Sequence, residues 1–276
     1  MRRHLSTRAF ANQRLTVALL DRIHRSGVEQ VEIFCARQHL DYRNRGQVDE
    51  IRHWLRDAEL NLLALHAPLF SDDVWGRSGP QSHLVITARE KAERIRAADE
   101  IKRALEVADA IPFRFFILPL GKPEEEYDPA GVEAAFNTLE EIHVMARQLG
   151  ADVLIENVAN RMGDAERLQL FLTTTHLPLN LSFSTGAAEK TGDLADEFER
   201  MKERIRSVHL HDIDGSRDGR YFPTLAERGR IDWPRTVELL RSLDESIPWI
   251  LDPGPAEEPA VGLQRASEAF DQLEKL

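Results

Sequence analysis

Short, nearly continuous apolar runs alternate along the chain with longer stretches whose apolar residues recur at helical spacing. The runs are HLSTRAF (4–10), VEQVEIFC (28–35), LNLLALHAPL (60–69), RFFILPLG (114–121), ADVLIENV (151–158), LPLNLSFS (177–184), SVHLHDID (207–214) and PWILDPG (248–254). Several are apolar almost throughout, the mark of strands covered on both faces in a parallel sheet. The helical pattern occupies 15–27, 47–59, 87–111, 132–150, 164–175, 194–205, 231–243 and 261–276, with Asp232 as a candidate N-cap and Pro234 in the first turn of the seventh stretch. Eight such strand–helix units in 276 residues predict an α/β fold, a (β/α)₈ barrel forming a single domain over 1–276. The alternative is an open doubly wound sheet, but no G-x-G-x-x-G opens a helix after the first run.

Two connections are longer than such a barrel needs. FSDDVWGRSGPQSHLVI (70–86) follows the third strand and GSRDGRYFPTLAERGR (215–230) the seventh. Both are βα loops, expected over the C-terminal mouth where barrel enzymes keep their chemistry. Trp75 and Tyr221 are candidate pocket walls, or anchors of their own loops.

The strand ends carry the candidate chemistry. They offer Glu32, His66, Pro119, Glu156 with Asn157, Ser184, His211 with Asp212, and Asp252 on strands two to eight. A carboxylate such as Glu156, directly after Val-Leu-Ile, is costly to bury unless paired, protonated or metal-bound. His209 and His211 share one strand face; His211, nearer the strand end, is the expected ligand, with His209 packing beneath it. Asp252 either joins the site or forms a turn with the following Pro-Gly-Pro. Carboxylates and an imidazole converging from separate strands suit Mn²⁺, Mg²⁺ or Zn²⁺. Arg217 and Arg220 are candidates for holding an anionic or polyhydroxylated substrate, or are ordinary loop charges.

Composition narrows the partners. Of the residues, 42% are hydrophobic and 30% charged, with 36 basic and 47 acidic side chains and a formal charge of −11, which disfavours a phosphate backbone as partner. One cysteine, Cys35, excludes an internal disulfide framework and fits a reducing, cytoplasmic setting. The basic N-terminal stretch lacks the apolar run of a signal peptide, and no uncharged segment of about 18 residues predicts a membrane span.

With these residues in view, the whole chain resembles the xylose isomerase-like TIM barrels, which include sugar and sugar-phosphate isomerases and epimerases, inosose dehydratases and the AP endonucleases. The resemblance is carried by GVEQVEIF, LHAP, LIEN, VHLHD and GRIDW, in order and suitably spaced. In epimerase-like members it implies four metal ligands: Glu, Asp, His and Glu on strands five to eight. Glu156 and His211 match; Ser184 and Ala187 stand in STGA where Asp-x-Gly-His is usual, Asp252 where Glu is usual, and Pro119 where a histidine often ends strand four. The D-x-H pair of the DNA-repair branch is here Asp218-Gly219-Arg220.

The function this implies is a sugar or sugar-phosphate isomerase or epimerase acting on a small carbohydrate-like substrate, with no nucleic-acid or membrane partner and homo-oligomers common in the family. Glu156 and Asp252 are the expected acid/base pair, and Glu156, His211 and Asp252 the expected ligands of a divalent metal if one binds. His66, Arg217, Glu32 and Trp75 are the expected substrate contacts. The alternative is a non-catalytic barrel that binds a small anionic or polyol ligand without metal.

Overall fold

The apolar runs form strands because each places alternate residues against helices on the outside and against the other strands inside. The computed structural model describes residues 1–58, 60–214, 219–224 and 229–276. Eight parallel strands close in sequence order: β1 (His4–Ser6), β2 (Gln30–Phe34), β3 (Asn61–His66), β4 (Phe115–Pro119), β5 (Asp152–Glu156), β6 (Asn180–Ser184), β7 (Ile205–Leu210) and β8 (Trp249–Leu251). Closure comes from β1, which pairs with β2 on one side and β8 on the other. This is a single (β/α)₈ barrel, as expected.

Outward residues Val31, Ile33, Phe116, Leu118, Val153, Ile155, Leu181, Phe183, Val208 and Leu210 join the main core beneath the helices. A second, smaller cluster of Leu63, Ala64, Phe115, Ile117, Leu154 and Ile250 fills part of the interior. Many of the other inward positions are polar: Glu32, His66, Glu156, Ser182, Ser184, Ser207, His209 and Asp252 are all buried. Bulky aliphatics usually fill such barrels, so this polar arc marks the region with another task.

The helices are α1 (Val17–Arg25), α2 (Arg45–Asp57), α3 (Lys91–Leu105), α4 (Pro129–Gln148), α5 (Ala165–Thr174), α6 (Thr185–Thr191), α7 (Leu194–Met201), α8 (Trp233–Leu240) and α9 (Pro259–Leu273). Asp232 caps α8 through the Arg235 amide, with Pro234 in its first turn, as the sequence predicts. Thr16, Asn44, Asp128, Asp164 and Asp193 cap other helices in the same way. Unforeseen is α6, where STGAAEKT reads as loop chemistry but coils directly out of β6, burying Thr185, Gly186, Ala187 and Ala188. No helix among the described residues is long and apolar enough to cross a membrane.

Candidate active site

The mouth is organised by three buried carboxylates and the cations that satisfy them. Glu32 on β2 accepts from Ser6 Oγ at 2.8 Å and lies 2.8 Å from His209 Nε2. The other nitrogen of the same ring, Nδ1, is 2.8 Å from Glu156 Oε1 on β5. Burial alone would favour a neutral ring, but Glu32 and Glu156, one on each nitrogen, raise the His209 pKa to about 10. The hydrogen bonds to His209 and His66 and the Arg220 charge outweigh the burial of Glu156 and hold its carboxyl well below the usual range.

Asp252, just past β8, is gripped from two sides. Arg8 Nε donates to Oδ1 at 2.8 Å, and Arg220 Nη1 donates to Oδ2. Burial would raise this carboxyl, but the two guanidiniums hold it below its ordinary value. Arg220 Nη2 also stands 3.6 Å from Glu156 Oε1. Arg8 is 2% exposed, stacks 4.0 Å over the Phe34 ring and reaches His66 Nε2 at 2.9 Å. Its burial depresses the guanidinium pKa against the pull of Asp252.

His66 is thereby given one tautomer. Its Nδ1 is 2.8 Å from the Ala67 carbonyl, which can only accept, so Nδ1 carries the hydrogen. A guanidinium can only donate, so Nε2 accepts from Arg8. Glu156 Oε2 lies 3.2 Å from that same Nε2, so both Glu156 oxygens face histidine nitrogens, Oε1 that of His209 and Oε2 that of His66.

Several expected site residues have other tasks or other places. His211 is not one of the three ligand-type side chains that offer atoms within 4.8 Å of one another, though the charges of Arg220, Asp252 and Glu156 reach it. Its backbone N–H donates to Thr185 Oγ1 at 3.1 Å, and its ring packs on Gly186, where a Cβ would collide with it. His209, expected beneath it as packing, takes the central position. Burial, and then Arg220, pull the His211 pKa well below its ordinary value, and its Nδ1 has no partner among the described residues. Glu32 has both oxygens committed inside the network, so it supports His209 and has none left for a substrate. Trp75 does reach the mouth, packing 5.0 Å from Phe34 in the β3–α3 loop. Arg217 lies outside the described residues, as does Asp218.

Asn157 and Asp212 are structural. Asn157 exchanges two hydrogen bonds with the Ser184 backbone, at 2.6 and 3.1 Å, extending the β5–β6 pairing. Asp212 accepts from the Ile213 and Arg230 amides at 2.7 and 2.9 Å and from Trp233 Nε1 at 2.7 Å. It thus ties VHLHD to GRIDW, two segments that share the resemblance. Arg8 and His209 were not singled out by the sequence; a charge at Arg8 inside an otherwise buried run was the available signal.

The family of xylose isomerase-like TIM barrels matches residues 20–273. The chain belongs to that family. A search of curated proteins by sequence gives no match. Solved structures similar to this xylose isomerase-like barrel include a D-tagatose 3-epimerase-like protein, with TM-score 0.77, 20% identity and coverage of 100% of this chain and 99% of that one. The IOLI protein with a bound zinc atom has TM-score 0.79 at 14% identity, covering 99% of this chain and 98% of that one. The 3-keto-D-glucoside 4-epimerase YcjR from E. coli has TM-score 0.74 at 15% identity, with both chains fully covered.

A divalent ion is implied by the family, and Glu156, His209 and Asp252 each offer a ligand-type atom within 4.8 Å of the others. The donor set does not fit one. Both Asp252 oxygens already accept from guanidiniums. Ser184, on the strand where the resemblance implies an aspartate, supplies an uncharged hydroxyl whose Oγ has no partner among the described residues. Two unit charges about 4 Å apart interact by about 4 kcal/mol at an effective dielectric of 20; a dication doubles that repulsion against each guanidinium. Three carboxylates facing two guanidiniums and the His209 imidazolium are balanced without it.

Proposed function

We propose that this barrel catalyses proton transfer α to the carbonyl of a small, carbohydrate-like substrate, as an isomerase or epimerase. Glu156 is the base. A Glu156 oxygen takes the proton from the α-carbon, and the electron pair moves toward the carbonyl, whose oxygen becomes negative. The Glu156 carboxyl then returns the proton to a carbon of the enediolate to give the isomer. Arg220, a quarter exposed at the rim, is the group placed to face that oxygen, with Arg8 behind it. Positive charge held in advance at the point where negative charge develops is the largest common source of catalysis.

Asp252 is assigned differently from the acid/base pairing expected of it. With both oxygens on guanidiniums it is a poor proton carrier, and it serves to position Arg8 and Arg220. Phe34 and Trp75 supply an apolar wall on the β2–β3 side, and on the far side Ser184, at the end of β6, has a hydroxyl without a partner among the described residues, which suits a polyol. The similar structures named as sugar epimerases agree with this substrate class.

The observation that carries the reading is a buried, ionised carboxylate at a strand end with a guanidinium 3.6 Å from it. Incubation with a panel of ketoses and keto-sugars in D₂O tests it, read as deuterium gain at the α-carbon. Glu156→Gln should reduce exchange by about 10²- to 10⁴-fold while leaving the fold intact. Full exchange in that variant, or none in the parent on any of the panel, sinks the assignment. The self-balanced charge cluster also favours a second reading, a ligand-binding barrel without turnover. Sugar binding that survives Glu156→Gln with no exchange in the parent would select it.

A further inference from the structure

We infer that Arg8 takes the electrostatic place of a divalent ion, so that the mouth of this barrel is built to hold its substrate without metal. Arg8 is delivered by local chemistry. Ser6 ends β1 and its Oγ accepts the Arg8 amide at 3.3 Å, capping the short 3₁₀ turn Thr7–Phe10. That turn folds the side chain inward, flat on Phe34, with Nε on Asp252 and Nη2 on His66. Three neighbouring side chains, Phe34, His66 and Asp252, therefore fix one guanidinium among the strand ends.

The consequence for a metal is direct. Of the three ligand-type side chains that converge here, Asp252 is shared between Arg8 and Arg220, and Glu156 lies beside Arg220. A dication would have to displace both guanidiniums, one of them buried, and would gain a hydroxyl at Ser184 where a carboxylate is needed. Arginine is suited to the role because its planar fork holds a carboxylate geometrically and keeps its charge when buried. The inference concerns the same site as the proposed reaction, but its readout is metal occupancy, so it stands or falls separately from turnover.

The test is elemental analysis of the protein as isolated, followed by melting curves with EDTA, MnCl₂ and ZnCl₂. The expected result is far less than stoichiometric metal and a midpoint that neither chelator nor metal moves. The double variant Arg8→Gln with Ser184→Asp should then acquire Mn²⁺ affinity at least about 100-fold above the parent, by removing a positive charge and adding a carboxylate. Arg220→Gln with Ser184→Asp, altered at the rim, serves if the first variant does not fold. Stoichiometric Mn²⁺ or Zn²⁺ in the parent, lost in Glu156→Gln and stabilising when restored, overturns the inference. Stoichiometric metal that persists in Glu156→Gln but is lost in Asp252→Asn overturns it as well. Failure of every folded variant to gain affinity also counts against Arg8 as the excluding group.

Discussion

At the scale of single residues, the protein divides its buried acids by what they accept. Among the described residues Asp212 takes backbone and indole donors and no cation, so its work is to pin the end of β7 onto the start of α8. Asp212→Ala leaves the Trp233 indole and at least two amides without an acceptor. At about 1–3 kcal/mol for each buried unsatisfied donor, urea denaturation should show a loss of about 3 kcal/mol or more. A loss below about 1 kcal/mol would mean that the donors find other acceptors. His209 and His211 show the limit of reading residues singly. They share a strand face, and proximity to the strand end favours His211. Barrel strands are staggered, however, so depth in the mouth follows register and not position along one strand. Glu32 and Glu156 meet at the level of His209.

Elements carry the next level of argument. Helix positions were legible because caps and apolar spacing act within a few residues: Asp232 and Pro234 start α8 whatever surrounds it. The predicted stretch at 87–111 becomes α3 from Lys91, because Thr87 is held outside the helix by a 2.7 Å hydrogen bond to Glu125. α6 was not legible, since Ser, Thr and Gly favour loops locally and only packing against β7 makes them coil. Between elements, one polar clamp stands out. Buried Glu100 on α3 accepts from Tyr42 Oη at 2.5 Å and pairs with Arg43, both in the loop after β2. Burial, then Glu100, push the Tyr42 hydroxyl pKa far above its ordinary value. Glu100→Ala should therefore cost about 2–3 kcal/mol by leaving a buried phenol unpaired, and should raise amide exchange in that loop before exchange in the barrel strands. Uniform loosening of every strand would argue instead for a global role.

For the whole molecule, pH is the most discriminating variable. His4 and His39 are buried away from the mouth, and burial pulls both pKa values from 6.5 to about 4. Unfolding frees each to bind a proton below 6.5. Their contribution to stability is therefore complete above that pH, declines as pH falls toward 4, and is constant below it. Each contributes a slope of up to about 1.4 kcal/mol per pH unit in that window. Denaturation midpoints measured between pH 7 and pH 4.5 should fall accordingly, with His39→Gln showing a shallower slope than the parent. An unchanged slope in that variant would remove His39 from the account.

The sequence by itself determined the ring of eight strand–helix units, because apolar periodicity and helix caps are local and survive any tertiary arrangement. It also marked Glu156 and Asp252, since charged residues at the ends of apolar strands are conspicuous. Only the closed barrel decided that Arg8 turns inward from β1, that His209 and not His211 bridges two acids, and that Asp252 holds guanidiniums. Those outcomes depend on which side chains meet across strands far apart in the chain. Register and closure set such meetings, and no short stretch of sequence contains them.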